Sequence, residues 1–164
     1  AIIATPLKNR SEANLVAAYT EIYDNLSNRG RQPKIQACDN KCPKAFKRFL
    51  TSKNIKLQLV PPYDHQTNPS EKAIDVWKSH FIAGLASLPP NFPTHLWCHL
   101  IEHATLTLNL MRPSKLNPRL SAYAQLNGAF DFNTTPLAPP GCRAIVHKTH
   151  DPRATWEPKG TDTW

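Results

Sequence analysis

Two acids, Asp39 and Glu71, stand where carboxylates distant along a chain can meet at one point. Asp39 follows Lys34-Ile-Gln-Ala-Cys38, which alternates as a strand does, so the acid falls where strand hands over to loop. Glu71 falls on the first turn of a helix that leaves a loop near Ser70. Functional groups of α/β sheets gather outside the carboxyl ends of the strands, and carboxylates are the hard oxygen ligands that magnesium or manganese takes. Two such ions, roughly 3.5 to 4 Å apart, activate a water or hydroxyl nucleophile and stabilise the departing oxygen of a phosphodiester. Most acids are only solvated surface charge, so the surrounding residues must decide.

The charge balance points the same way. The 164-residue chain carries 20 lysines and arginines against 12 acids, a formal net charge of +8, which favours a polyanionic partner such as DNA, RNA or an anionic membrane surface. Its length suits one compact domain. Cys38, Cys42, Cys98 and Cys142 form no CxxC pair, which speaks against a zinc ribbon or a dense disulfide framework and for reduced intracellular thiols. No apolar run is long enough for a bilayer span, and no basic-then-apolar leader opens the chain.

The elements that must position the acids follow from periodicity. Residues 1 to 5 form a short apolar run stopped by Pro6, as a strand would be. Ser11 is a candidate N-cap for an amphipathic helix on Leu15, Ala18, Ile22 and Leu26, ended by Gly30. After the strand at 34 to 38 comes a helix over about 43 to 53, with Ala45, Phe46, Phe49 and Leu50 on one side, then a period-two strand at 55 to 60. Residues 61 to 70, with three prolines, read as an exposed loop. The helix after it carries Ile74, Trp77, Phe81 and Leu85 on one stripe and Glu71, Asp75 and Lys78 on the other face. Helices over about 95 to 111 and 120 to 127 follow, the latter ended by Gly128. The tail is proline-rich and irregular, with one strand at 143 to 147. Strand, helix, strand, helix, strand predicts an α/β layer with a largely parallel sheet.

Cys38-Asp39-Asn40, then Val60-Pro-Pro-Tyr-Asp-His-Gln-Thr-Asn-Pro-Ser-Glu71-Lys72-Ala73, resembles the second and third acidic blocks of retroviral and retrotransposon integrases. Residues 40 to 70, 31 in all, separate the two acids, slightly fewer than in the usual retroviral pattern but with the same elements in the same order. Downstream, Thr107 to Ser114, Pro118 to Tyr123 and Gly141 to His147 look like the tail of copia-type integrase regions in retrotransposon polyproteins, so the resemblance spans nearly the whole chain.

That resemblance implies an α/β, ribonuclease H-like mixed sheet flanked by helices, of the DDE superfamily, with the core over 1–128 and a tail over 129–164. It implies DNA integration: metal-dependent 3′-end processing and strand transfer, with Mg2+ or Mn2+ as cofactor. It makes Asp39 and Glu71 the metal ligands, lets Asn40 shape the site, and places Lys78 on the phosphate or base edge of the element's terminal DNA and Lys72 on backbone phosphate. His65, Gln66 and Asn68 fall in the loop that closes over DNA in the family. It implies DNA partners, a homo-oligomer in the intact protein, no membrane, and action in the nucleus. The family's third acid, an Asp on its first strand, has no counterpart before Asp39. The first two strands are therefore expected upstream of residue 1, and the fragment is expected to be inactive and marginally stable alone.

Two rival readings attach to specific features. A non-catalytic nucleic-acid-binding remnant of a decayed element would keep the fold and charge without the chemistry. His99-Leu-Ile-Glu-His103 fits HxxEH, the inverted zinc-peptidase motif, with His95 one turn earlier and Cys98 beside it, but no second signature accompanies it. The blander account is a helix with wet histidines over buried Leu96, Leu100 and Ala104. Trp97, Trp156 and Trp164 lack interleaved basic residues and are expected to pack rather than stack on bases.

Overall fold

The computed structural model describes residues 1–39, 42–60, 69–147, 155–156, 158 and 160–163. Helix α1 spans Glu12–Asn28, opened by Ser11, whose hydroxyl accepts from the Asn14 N–H, and followed by Gly30 at φ +69°. Strand β1 (Ile35–Cys38) and strand β2 (Lys56–Leu59) pair in parallel with Ile35 opposite Lys56 and Cys38 opposite Leu59. Helix α2 (Lys44–Ser52) makes the crossover between them. Its Phe46 and Leu50, with Ile55, form a buried cluster against which Leu15, Val16, Tyr19 and Tyr23 of α1 pack. Tyr19 meets the Phe46 ring edge-on at 4.8 Å and donates its hydroxyl to Gln36 Oε1 at 2.6 Å, tying helix to strand.

The second half is helical. Helix α3 (Pro69–Ala86) packs on helix α4 (Leu100–Met111), and α4 packs on helix α5 (Ala122–Asn127). Trp77 stacks on Phe81 at 5.0 Å and donates its indole N–H to Thr105 Oγ1 at 2.9 Å, and His80 Nε2 bonds Thr107 Oγ1 at 2.9 Å, so α3 is fixed to α4 by apolar area and two directed bonds. Ile101, Ala104 and Leu108 of α4 and Ala122 of α5 are buried. A hairpin of strand β3 (Ala144–His147) and strand β4 (Gly160–Thr163) follows, antiparallel, with Ala144 opposite Thr163. The architecture is mixed α/β with a small parallel sheet. Among the described residues, no helix is long and apolar enough to cross a membrane.

Several expectations are corrected. Residues 1 to 5 form no strand: the Ile2 N–H and C=O, which a strand neighbour would engage, are taken by the Asn109 side-chain amide instead. The 95–111 helix is split, with a 3-10 stretch at Thr94–His99 ahead of α4, because residues 95 to 99 are exposed and bury no face that would hold an α-helical period. Leu96, at 38 % exposure, therefore lies outside the core. Ile74 is half exposed, leaving Trp77, Phe81 and Leu85 as the inward face of α3. Trp156 is 95 % exposed and packs on nothing among the described residues. Strand β4 was not expected in the irregular tail because Gly-Thr-Asp-Thr has no apolar alternation; Gly160 serves there because a Cβ would lie 2.4 Å from Ile145 Cγ2.

Candidate functional site

Asp39 stands one residue beyond β1, exposed, at the carboxyl edge of the parallel pair. The Val60 N–H donates to the Cys38 carbonyl at 2.9 Å, so the ladder extends to the residue that precedes Asp39 and fixes where the acid leaves the sheet. Glu71 is half-buried in the first turn of α3, where the unsatisfied N–H groups and the helix dipole favour a carboxylate. Lys72, Asp75 and Lys78 on the same helix are exposed. Asn40, His65, Gln66 and Asn68 lie outside the described residues.

Beside Asp39, burial first and then the neighbouring Cys42 thiol push the Cys38 thiol up to about 11, with the Asp39 carboxylate adding to the rise. Cys38 and Cys42 are both free thiols and partly buried. The edge of β1 is thus a place where negative charge is disfavoured on sulfur.

Asp39 and Glu71 carry hard anionic oxygens, the donor type that magnesium or manganese takes. Among the described residues, no group of three or more His, Cys, Asp or Glu side chains could hold a metal ion. The HxxEH histidines are split between the 3-10 stretch, which ends at His99, and α4, where His103 pairs its Nε2 with the Ala138 carbonyl at 3.0 Å.

Lys72, in the first turn of α3, lines a cleft together with Arg31, Arg112 and Lys115, cations from two further connections that sequence reasoning did not bring together. No run of basic residues announces them. Arg112 and Lys115 flank Pro113-Ser114 in the link from α4 to α5, and Arg31 follows the stop of α1.

No protein-family model and no curated protein matches the sequence. Among solved structures the fold is similar to a chain of the cryo-EM structure of the simian T-cell lymphotropic virus intasome in complex with PP2A regulatory subunit B56 gamma. The TM-score is 0.55 at 17 % identity, over 87 % of this chain and 48 % of that one. The chain thus spans about half the length of the structure it matches, and the likeness is one of fold.

Proposed function

We propose that the chain is the C-terminal part of a retroelement integrase catalytic core, of ribonuclease H-like fold and DDE type, related to copia-type polyprotein regions. The observation that carries this reading is the edge of the β1–β2 pair: Cys38 is opposite Leu59, Asp39 leaves the sheet at that edge, and the chain from β2 leads into a helix opened by Glu71. The fold likeness to a chain of an intasome structure supports it.

In this reading Asp39 and Glu71 hold Mg2+ or Mn2+, which when bound supplies charge neutralisation at the phosphodiester and acidifies the attacking water or hydroxyl. The protein's own contribution is alignment. Glu71 is held by the first turn of α3, so its carboxylate is oriented by a rigid element rather than by a loop. Lys72 and Lys78 stand on the same helix, Lys72 next to Glu71 and Lys78 two turns beyond it, and bind the element's DNA, Lys72 through backbone phosphate and Lys78 through phosphate or a base edge. Water attacks first to trim the element end, and the freed 3′-hydroxyl then attacks target DNA. The intact protein acts as a homo-oligomer in the nucleus, and the third carboxylate comes from the rest of the parent protein.

The test is Glu71→Gln in the parent protein. Joining of a 3′-hydroxyl end to target DNA is expected to fall below detection while circular dichroism shows the protein still folded. Undiminished joining removes Glu71 from the chemistry, and DNA binding without joining in the unaltered parent protein identifies a non-catalytic DNA-binding remnant.

A further inference from the structure

A strongly cationic cleft of about 550 Å³ lies between the link after α1, the start of α3 and the α4–α5 connection. Its charged lining residues, among the described ones, are Arg31, Lys72, Arg112 and Lys115, and no acid joins them. Four like charges around one concavity repel one another and raise its potential, which self-association of the walls does nothing to relieve. An anion placed among them does.

The walls are fixed rather than frayed. Arg31 donates Nη2 to the Gln125 carbonyl of α5 at 2.5 Å, which spends one of five guanidinium N–H donors and holds the rest in place. The α4–α5 connection is closed by the Ala122 N–H on the Arg112 carbonyl at 2.7 Å and the Ser114 N–H on the Leu120 carbonyl at 2.8 Å. Ser114, buried at 7 % exposure, accepts from the Leu116 N–H at 3.1 Å, so Arg112 and Lys115 project from a braced turn. No side-chain hydrogen bond among the described residues engages Lys72, Arg112 or Lys115. Ser70, Lys72, Ala73 and Val76 of α3 line the cleft, so one face of this helix forms its wall.

We infer that this cleft is a binding tract for the phosphodiester backbone of a nucleic acid, with Arg31, Lys72, Arg112 and Lys115 each contacting phosphate. The inference deepens the proposed integrase reading, on which it rests for the role of the bound strand but not for the binding itself. Cations carried by three different elements suit several phosphates of one strand, whereas a single free phosphate would need convergent donors on one anion.

The test measures binding of a labelled DNA duplex by the full chain as a function of salt. Arg31→Gln, Arg112→Gln and Lys115→Gln together are expected to weaken binding at least about tenfold at 0.1 M salt and to flatten the dependence of log affinity on log salt by about 3, near one for each cation removed from a phosphate. Lys44→Gln, Lys47→Gln and Arg48→Gln, on exposed positions of α2, remove the same charge elsewhere and are expected to leave most of the affinity in place. Equal losses from both triple variants would show general attraction and overturn the cleft. Inorganic phosphate at constant ionic strength is expected to displace DNA weakly; displacement at equimolar phosphate would mark a mononucleotide-sized or free-phosphate pocket and also overturn it. Circular dichroism of the triple variant separates weakened phosphate binding from unfolding, and single Lys115→Gln, exposed on its turn, must still reduce the slope by about 1. Loss of DNA affinity in the cleft variants reports on the cleft, whereas loss of joining in Glu71→Gln reports on the catalytic reading, so failure of the one and failure of the other give different results.

Discussion

The Asn109 side chain clasps the backbone of Ile2: its Oδ1 accepts the Ile2 N–H at 2.8 Å and its Nδ2 donates to the Ile2 carbonyl at 2.7 Å. A primary amide offers the same donor and acceptor pair as a peptide unit, so one buried side chain on α4 acts as a one-residue strand for the segment ahead of α1. Asn109→Ala removes both bonds and leaves the two backbone groups of Ile2 without partners. The expected loss is about 1 to 3 kcal/mol in denaturant unfolding. Asn109→Asp, which keeps the acceptor but loses the donor, should not restore it.

Leu50 is fully buried on α2 between α1 and the β1–β2 pair, whereas Ile82 on α3 is 62 % exposed. Leu50→Ala should cost about 2 to 5 kcal/mol through lost transfer energy and an unfilled cavity. Ile82→Gln should change stability by no more than about 0.5 kcal/mol. Equal effects from the two in urea titrations would show that the cluster of Phe46, Leu50 and Ile55 does not hold the N-terminal half together.

The parts legible from sequence are those whose physics is local. Ser11 caps α1 because a hydroxyl before an apolar period serves its own helix, and Phe46 and Leu50 share a face because residues four apart must. The β1–β2 crossover follows from alternation broken by a helix. What was missed depends on distant partners. Nothing near Ile2 announces Asn109, nothing near Arg31 announces Gln125, and the polar run at Gly160 becomes a strand only because β3 offers it a ladder. In the candidate site, Asp39 and Glu71 were legible by type and placement. The cationic cleft was not, since its residues are scattered over one helix and two connections.

The Cys38 thiol, raised from 9.0 to about 11 by burial and by its Cys42 neighbour, should be slow to alkylate. At pH 8 it holds roughly a hundred times less thiolate than an unshifted thiol, since the thiolate is the nucleophile. The sign for stability follows from the same shift. The folded state keeps the proton that the unfolded chain releases, so this contribution is complete below pH 9 and is lost as pH rises from about 9 to about 11. Mass-resolved iodoacetamide labelling against pH checks the first part: modification of Cys38 in the folded chain should climb only above about pH 10, and rapid labelling at pH 8 would contradict the burial of that sulfur.

Two glycines should respond with opposite sign to the same substitution. Gly141 sits at φ +73°, and a Cβ there would lie 2.7 Å from Pro89 Cδ and 3.2 Å from Pro89 Cγ, with Phe92 Cδ2 at 3.4 Å. A proline ring cannot swing aside as a lysine tip can, so Gly141→Ala must move the tail off the turn at 89–92 as well as bear the left-handed backbone. The backbone alone costs about 1 to 2 kcal/mol. Gly84 lies inside α3, where a Cβ would meet nothing within 4 Å. Gly84→Ala should therefore stabilise by about 0.5 to 1 kcal/mol through the reduced freedom of the unfolded chain. Because Leu137 to Pro140 wall the groove between α3 and α4, and His103 bonds the Ala138 carbonyl, release of the tail should also expose that groove. Limited proteolysis of the two variants reports this directly: faster cleavage between Leu137 and Cys142 is expected for Gly141→Ala alone, and identical digestion of both would mean that the tail is not held by this approach.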